Sequence, residues 1–158
     1  MNRWSLFGII VVVGVVLDQV SKVAIDASMQ LHQSFPVIDG LLNVTYVRNR
    51  GAAFSFLSDA AWRLPFFIVV TLIACLVIVV ALRKMTQEQT LGQVAVSMVF
   101  AGAVGNLIDR VRVGEVIDFI DVYWRHYHWP AFNVADMLIC VGVALVMFDM
   151  VREGTKPS

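Results

Sequence analysis

Charge is scarce in this chain. Asp, Glu, Lys and Arg make up 15% of its 158 residues, against about 25% in soluble domains. With 59% hydrophobic residues and a mean hydropathy of +0.77, too little polar surface remains to coat a water-soluble globule. The few charges also cancel, 12 basic against 12 acidic, which removes any electrostatic argument for a nucleic acid or an acidic partner. Cysteine is limited to Cys75 and Cys140, each inside an apolar run. They lack the spacing of a metal or redox motif and read as small packing residues. His32, His126 and His128 form no HExxH-type cluster and read as interfacial or loop residues. No metal and no organic cofactor is indicated.

What the chain has instead is four long apolar segments, at about 4–24, 64–82, 89–108 and 132–151. Each approaches the roughly 20 residues that cross a hydrocarbon core about 30 Å thick. The predicted fold is an all-α membrane protein, a four-helix bundle forming one domain over residues 1–158. The first segment follows Met1-Asn2-Arg3 but leads into Asp18-Gln19-Val20-Ser21-Lys22 rather than a small-x-small cleavage site, so it reads as a retained helix. In the third, Ser97, Ala101 and Gly105 recur every four residues, a spacing that lets helices approach closely in lipid.

Four spans place both termini and the short 83–88 connection on one side, and two long loops on the other. Pro36 to Val47 reads as a small β hairpin around Asp39-Gly40. Gly51 to Trp62 reads as a short interfacial helix, and Tyr123, Trp124, Tyr127 and Trp129 as an aromatic belt. Lys and Arg number five on the terminus side and seven on the long-loop side, a count that does not set the orientation.

The acids are less evenly spread: nine of the twelve fall on the long-loop side. There the ends of spans one and three and the start of span four carry Asp18 and Lys22, Asn106, Asp109 and Arg110, and Asn133 and Asp136, while the loops add Asn49 and Asp118. Within each helix these residues sit three or four apart, on one face. An ionisable group inside a span costs about 2.5–3.5 kcal/mol, so such groups face a cavity or one another. Asp18 with Lys22, and Asp109 with Arg110, fit structural ion pairs as well as direct chemistry. Asp149 reads as a headgroup-level charge. Asp136 shares a turn with Asn133, an amide with no packing reason to enter a span. Asp118, in Val116-Ile117-Asp118-Phe119-Ile120, is a carboxylate shielded by apolar neighbours, equally readable as structural from spacing alone. Serine chemistry lacks a base and metal chemistry lacks ligands. Two carboxylates held close cannot both ionise; the charged one can take a proton from water while the neutral one hydrogen-bonds a carbonyl.

At these residues the chain resembles the bacterial lipoprotein signal peptidases (signal peptidase II). The stretches that carry the resemblance are Asp18-Gln19-Val20-Ser21-Lys22, Asn49-Arg50-Gly51-Ala52-Ala53-Phe54, Gly105-Asn106-Leu107-Ile108-Asp109-Arg110, Val116-Ile117-Asp118-Phe119 and Pro130-Ala131-Phe132-Asn133-Val134-Ala135-Asp136. The resemblance implies an aspartic endopeptidase with Asp118 and Asp136 catalytic. It implies that Asn49, Gly51, Asn106, Arg110, Asn133 and Ala135 hold substrate or line the site, and that Asp18, Lys22 and Asp109 support it. The implied substrates are diacylglyceryl-modified prolipoproteins, cut just before the lipidated cysteine. The implied setting is the bacterial inner membrane, termini cytoplasmic and active site towards the outer face, in contact with membrane lipids and acting as a monomer. The first long loop would then cover the site. A transporter, the main rival, needs polar groups through both halves of the membrane, and the terminus-side halves of spans one to three are nearly free of charge.

Overall fold

A computed structural model describes residues 2–51 and 62–154. Four helices carry the chain: α1 (Arg3–Ser28), α2 (Arg63–Lys84), α3 (Thr90–Val113) and α4 (Val134–Gly154). All four are long and apolar enough to cross a membrane. They overrun the apolar segments because polar ends are stabilised locally. The Asn2 side chain accepts from Trp4 N at 3.1 Å, an N-cap. The Arg3 guanidinium donates to the Leu82 and Arg83 carbonyls (3.4 and 3.0 Å) and to that of Met85 at the end of α2. Arg110 and Arg112 occupy the last turn of α3, where positive charge complements the helix dipole, and left-handed Gly114 ends that helix.

Helix α3 is the hub. Half of its membrane-crossing stretch is buried, against 6–17% for the other three, and it packs on α1, α2 and α4. Small residues make this possible. Ser97 and Ala101 are fully buried, and a Cβ at Gly105 would lie 2.5 Å from Asp18 Oδ2. Only a glycine admits that carboxylate.

The two long loops form a single β structure. Strands β1 (Ser34–Ile38), β2 (Leu42–Asn49), β3 (Val116–Trp124) and β4 (Tyr127–His128) pair antiparallel in that order. The β1–β2 hairpin matches the turn expected at Asp39-Gly40. The β2–β3 pairing, which joins the two loops, was not expected. Its register slips by one residue between Val44↔Ile120 and Val47↔Asp118, a bulge directly beside Asp118; bulges re-aim side chains next to sites. The aromatic belt lies on and just after the β3–β4 hairpin, with Trp124, Tyr127 and Trp129 exposed. Span four begins two residues later than expected, because Phe132 pairs with Ile120 at the sheet edge. The interfacial helix expected between Gly51 and Trp62 falls on 52–61, outside the described residues.

Candidate active site

Asp118 projects from β3 and is 1% exposed. Its two oxygens accept from neutral amides, Asn49 Nδ2 at 2.9 Å and Asn133 Nδ2 at 2.6 Å. Asn49 is aimed by a turn: its Oδ1 accepts from Gly51 N at 2.8 Å, and Gly51 has φ +85°, with Phe67 where a Cβ would stand. Burial, with the negative charge of Asp136 added, pushes the Asp118 carboxyl up from 3.8 to about 7, against the amide bonds that favour its ionised form.

Asp136 lies in the first turn of α4 and is half-buried. It forms a reciprocal cap with Asn133: Asp136 N donates to Asn133 Oδ1 at 2.9 Å and Asn133 N donates to Asp136 Oδ2 at 3.2 Å. The other carboxylate oxygen accepts from Asn106 Nδ2 at 2.8 Å. Asn133 therefore holds both aspartates, one by side chain and one by backbone. The spacing of Asn133 and Asp136 is thus explained twice, as a helix start and as a link between two acids. A groove of about 580 Å³ opens beside Asp136 and runs along α4, lined by Phe132, Met137, Cys140 and Val141 among others.

Behind this pair lies a second charged cluster. Lys22 Nζ reaches Asp18 Oδ2 (2.9 Å), Asp109 Oδ2 (2.8 Å) and Asn106 Oδ1 (2.9 Å), and Lys22 and both acids are wholly buried. Backbone donors complete it, Ala135 N to Asp18 Oδ1 at 2.8 Å and Ile117 N to Asp109 Oδ2 at 3.2 Å. One lysine thereby ties α1, α3, β3 and the start of α4 together. Asn106 belongs to both clusters, accepting from Lys22 and donating to Asp136. Among the described residues, no buried side-chain nitrogen or oxygen lacks a hydrogen-bond partner.

Two expectations need correction. Asp109 pairs with Lys22 rather than Arg110, since consecutive residues on a helix point about 100° apart. Arg110 instead lies over the Phe67 ring, 4.9 Å from its centroid, and donates to Asn106 O at 3.2 Å. Asp149, expected as a headgroup-level charge near the end of its span, is 7% exposed and accepts at 2.7 Å from Arg152, whose own side chain is exposed. Cys140 is exposed beside the α4 groove rather than packed inside. His128 bonds Asp121 through Nδ1 at 2.9 Å and stacks on Tyr123, so it is a strand residue with a partner.

Two contributors escaped the sequence reading. Gln19 Nε2 donates to Asp18 Oδ2, Asp109 Oδ1 and the Gly105 carbonyl at 3.0–3.1 Å. Its signal was available: it sits three residues before Lys22, on the same helix face. Phe67 gave none, being one apolar residue in an apolar run. Among the described residues, no three of His, Cys, Asp or Glu gather as metal ligands.

The arrangement has counterparts. A family model described as signal peptidase (SPase) II matches residues 10–152. This chain belongs to the signal peptidase II family. It is 61% identical over 155 residues to the lipoprotein signal peptidase of Geobacter sulfurreducens, covering 98% of this chain and 97% of that one. The lipoprotein signal peptidase of Geobacter metallireducens is 55% identical, covering 99% and 96%. A bacterial membrane enzyme solved by the in meso method at 1.9 Å superposes with TM-score 0.84 at 40% identity, covering 91% of each chain. A second, at 2.3 Å, gives 0.86 at 38% identity, covering 96% and 91%. The signal peptidase II family is one of proteases, and the four helices make this member a multi-pass bacterial membrane protein.

Proposed function

We propose that this protein is a lipoprotein signal peptidase that cleaves diacylglyceryl-modified prolipoproteins immediately before the lipidated cysteine, with Asp118 and Asp136 as its catalytic pair. The observation that carries the reading is the joint hold of Asn133 on two carboxyls that have only neutral side-chain donors, beside an apolar groove. With its carboxyl near 7, Asp118 is the member that keeps a proton close to neutrality; the pair titrates as a unit.

In this mechanism neutral Asp118 hydrogen-bonds the scissile carbonyl oxygen while the Asp136 carboxylate draws a proton from a water. The water oxygen adds to the carbonyl carbon, and the carbonyl oxygen takes the Asp118 proton. On collapse the C–N bond breaks, the proton held by Asp136 passes to the departing amine of the lipidated cysteine, and a hydroxyl proton of the intermediate returns to Asp118. No covalent enzyme intermediate forms. Asn49, Asn106 and Asn133 hold the carboxyls, Gly51 sets Asn49, Arg110 stacks on Phe67 and contacts substrate, and the cluster of Asp18, Lys22 and Asp109, with Ala135, keeps the elements in place.

A lipid-anchored substrate reaches such a site laterally, because the groove at Asp136 lies along the outer surface of α4. The protein works as a monomeric single domain in the inner membrane, with termini cytoplasmic and the site facing outward. The test follows a diacylglyceryl-modified prolipoprotein by gel shift with wild type, Asp118→Asn and Asp136→Asn. Cleavage by wild type alone supports pair and substrate together. A variant that still cleaves removes its aspartate from the mechanism, and a folded wild type that leaves this substrate intact overturns the reading.

A further inference from the structure

A second groove, lined by neither Asp118 nor Asp136, lies between α1 and the end of α3. It has a volume of about 450 Å³ and is lined by Gln19, Val20, Val23, Ala24 and Ala27 of α1 and by Arg112 of α3. From residue 19 to residue 27 is eight steps of a helix, about 12 Å, so the groove runs from the last turn of α3 towards the middle of the membrane. Its walls are apolar, and Val20 and Val23 are exposed. Arg112 stands at its mouth, next to the last residue of α3. Among the described residues it has no hydrogen bond or ion pair. Asp26, a carboxylate within electrostatic reach of Arg112, already accepts from the Tyr46 hydroxyl and from Arg48 Nη2 at 3.2 Å.

An apolar trough that starts at a guanidinium with no hydrogen bond or ion pair among the described residues, at the end of a membrane-crossing helix, matches one kind of molecule. We infer that this groove binds a membrane phospholipid of net negative charge, its phosphate on Arg112 and the upper part of one acyl chain along Val20, Val23, Ala24 and Ala27. Guanidinium suits phosphate because its planar donors match two oxygens at once. A peptide strand is a poor occupant, since the groove walls offer its backbone almost no hydrogen-bond partners. The deep end of the groove is Gln19, whose amide is bonded to Asp18 and Asp109. A lipid seated there presses on the residue that braces the Lys22 cluster and so stabilises the bundle.

The test is native mass spectrometry of the purified full chain titrated with phosphatidylglycerol or phosphatidylcholine of identical acyl chains. Wild type retains one phosphatidylglycerol per chain in preference to phosphatidylcholine. Arg112→Gln weakens phosphatidylglycerol retention about fivefold, Arg112→Lys keeps most of it, and Ala24→Phe, which fills the trough, weakens both lipids. Melting temperature rises with phosphatidylglycerol in wild type and much less in Arg112→Gln. Equal retention by wild type and Arg112→Gln overturns the inference. So does displacement of the lipid by soluble glycerol phosphate at matched concentration, which would mark a bare phosphate site. A two-chain species lost on Ala24→Phe would assign the groove to a second copy and overturn it too.

Discussion

The cluster around Lys22 and the pair Asp118–Asp136 adjoin one another and share Asn106, and of their four acids only Asp136 is less than fully buried. They differ in what answers the acids. Asp18 and Asp109 face a lysine ammonium at 2.8–2.9 Å as well as amide donors. Among the described residues, the donors bonded to Asp118 and Asp136 are amides, from Asn49, Asn106, Asn133 and the backbone, while Lys22 and Arg110 act on them only through space. A buried cation lets two carboxylates stay charged and turns them into a tie between helices, though removing one partner of such a set is costly. Neutral amides orient carboxyls without cancelling their charge, so two of them side by side contend over a proton. On the proposed mechanism the same residue type is a tie in one cluster and a reagent in the other, and the difference is which acids bond the ammonium group directly.

The sharpest way to break that comparison is to neutralise each cluster in turn. Asp118→Asn and Asp136→Asn should each reduce turnover by about 10²–10⁴-fold, the usual range for lost general acid–base catalysis, with melting temperature little changed. Lys22→Met should do the reverse in kind, costing about 3–5 kcal/mol of stability by leaving buried acids unpaired. Thermal unfolding in detergent, with cleavage assayed on the fraction that stays folded, separates the two behaviours. Adding Asp18→Asn and Asp109→Asn to Lys22→Met should recover part of the loss, because no unpaired charge is then left behind. If Lys22→Met melts like wild type, the brace is not a brace.

A pH profile sharpens the contrast. The Asp118 carboxyl is raised to about 7, so its proton is present below that value and is lost as pH rises through it. Cleavage should therefore decline above about pH 7. The hydrogen bond from Asn49 favours the ionised form, so Asn49→Ala should move the falling limb to higher pH; a limb that stays put or moves down contradicts the assignment. The smallest effect is expected at the contact of Arg110 with Phe67. Phe67→Leu removes the ring beneath Arg110, a contact worth about 0.5–1 kcal/mol where exposed, and should raise KM about 2–5-fold with kcat nearly unchanged. An equal fall in kcat would move Phe67 from substrate binding through Arg110 to the support of Asn49 through Gly51.

Much of this architecture was legible in the linear chain. Apolar runs of span length require helices, because in lipid the backbone must satisfy its own hydrogen bonds. Asp18–Lys22 and Asn133–Asp136 were readable because helical neighbours three and four apart share a face whatever else the protein does. The hairpin at Asp39-Gly40 was readable for a similar local reason. The pairing of β2 with β3 was not, since it joins segments some seventy residues apart and nothing in either strand names the other. The partner of Asp109 was misread for the same cause: Lys22 lies on a different helix, and only packing through Gly105 brings it close.

The sequence by itself therefore determined the solvent, the number of spans, the end of the bundle where polar groups collect and the residue types gathered there. Those follow from hydropathy and helical periodicity, which are local properties. The tertiary structure alone decided which acids bond a cation directly and which are held by amides. That choice depends on how three helices and a bulged strand pack within a few ångströms, and at those distances inside a low-dielectric interior one neighbouring charge decides whether a carboxyl serves as a tie or as a reagent.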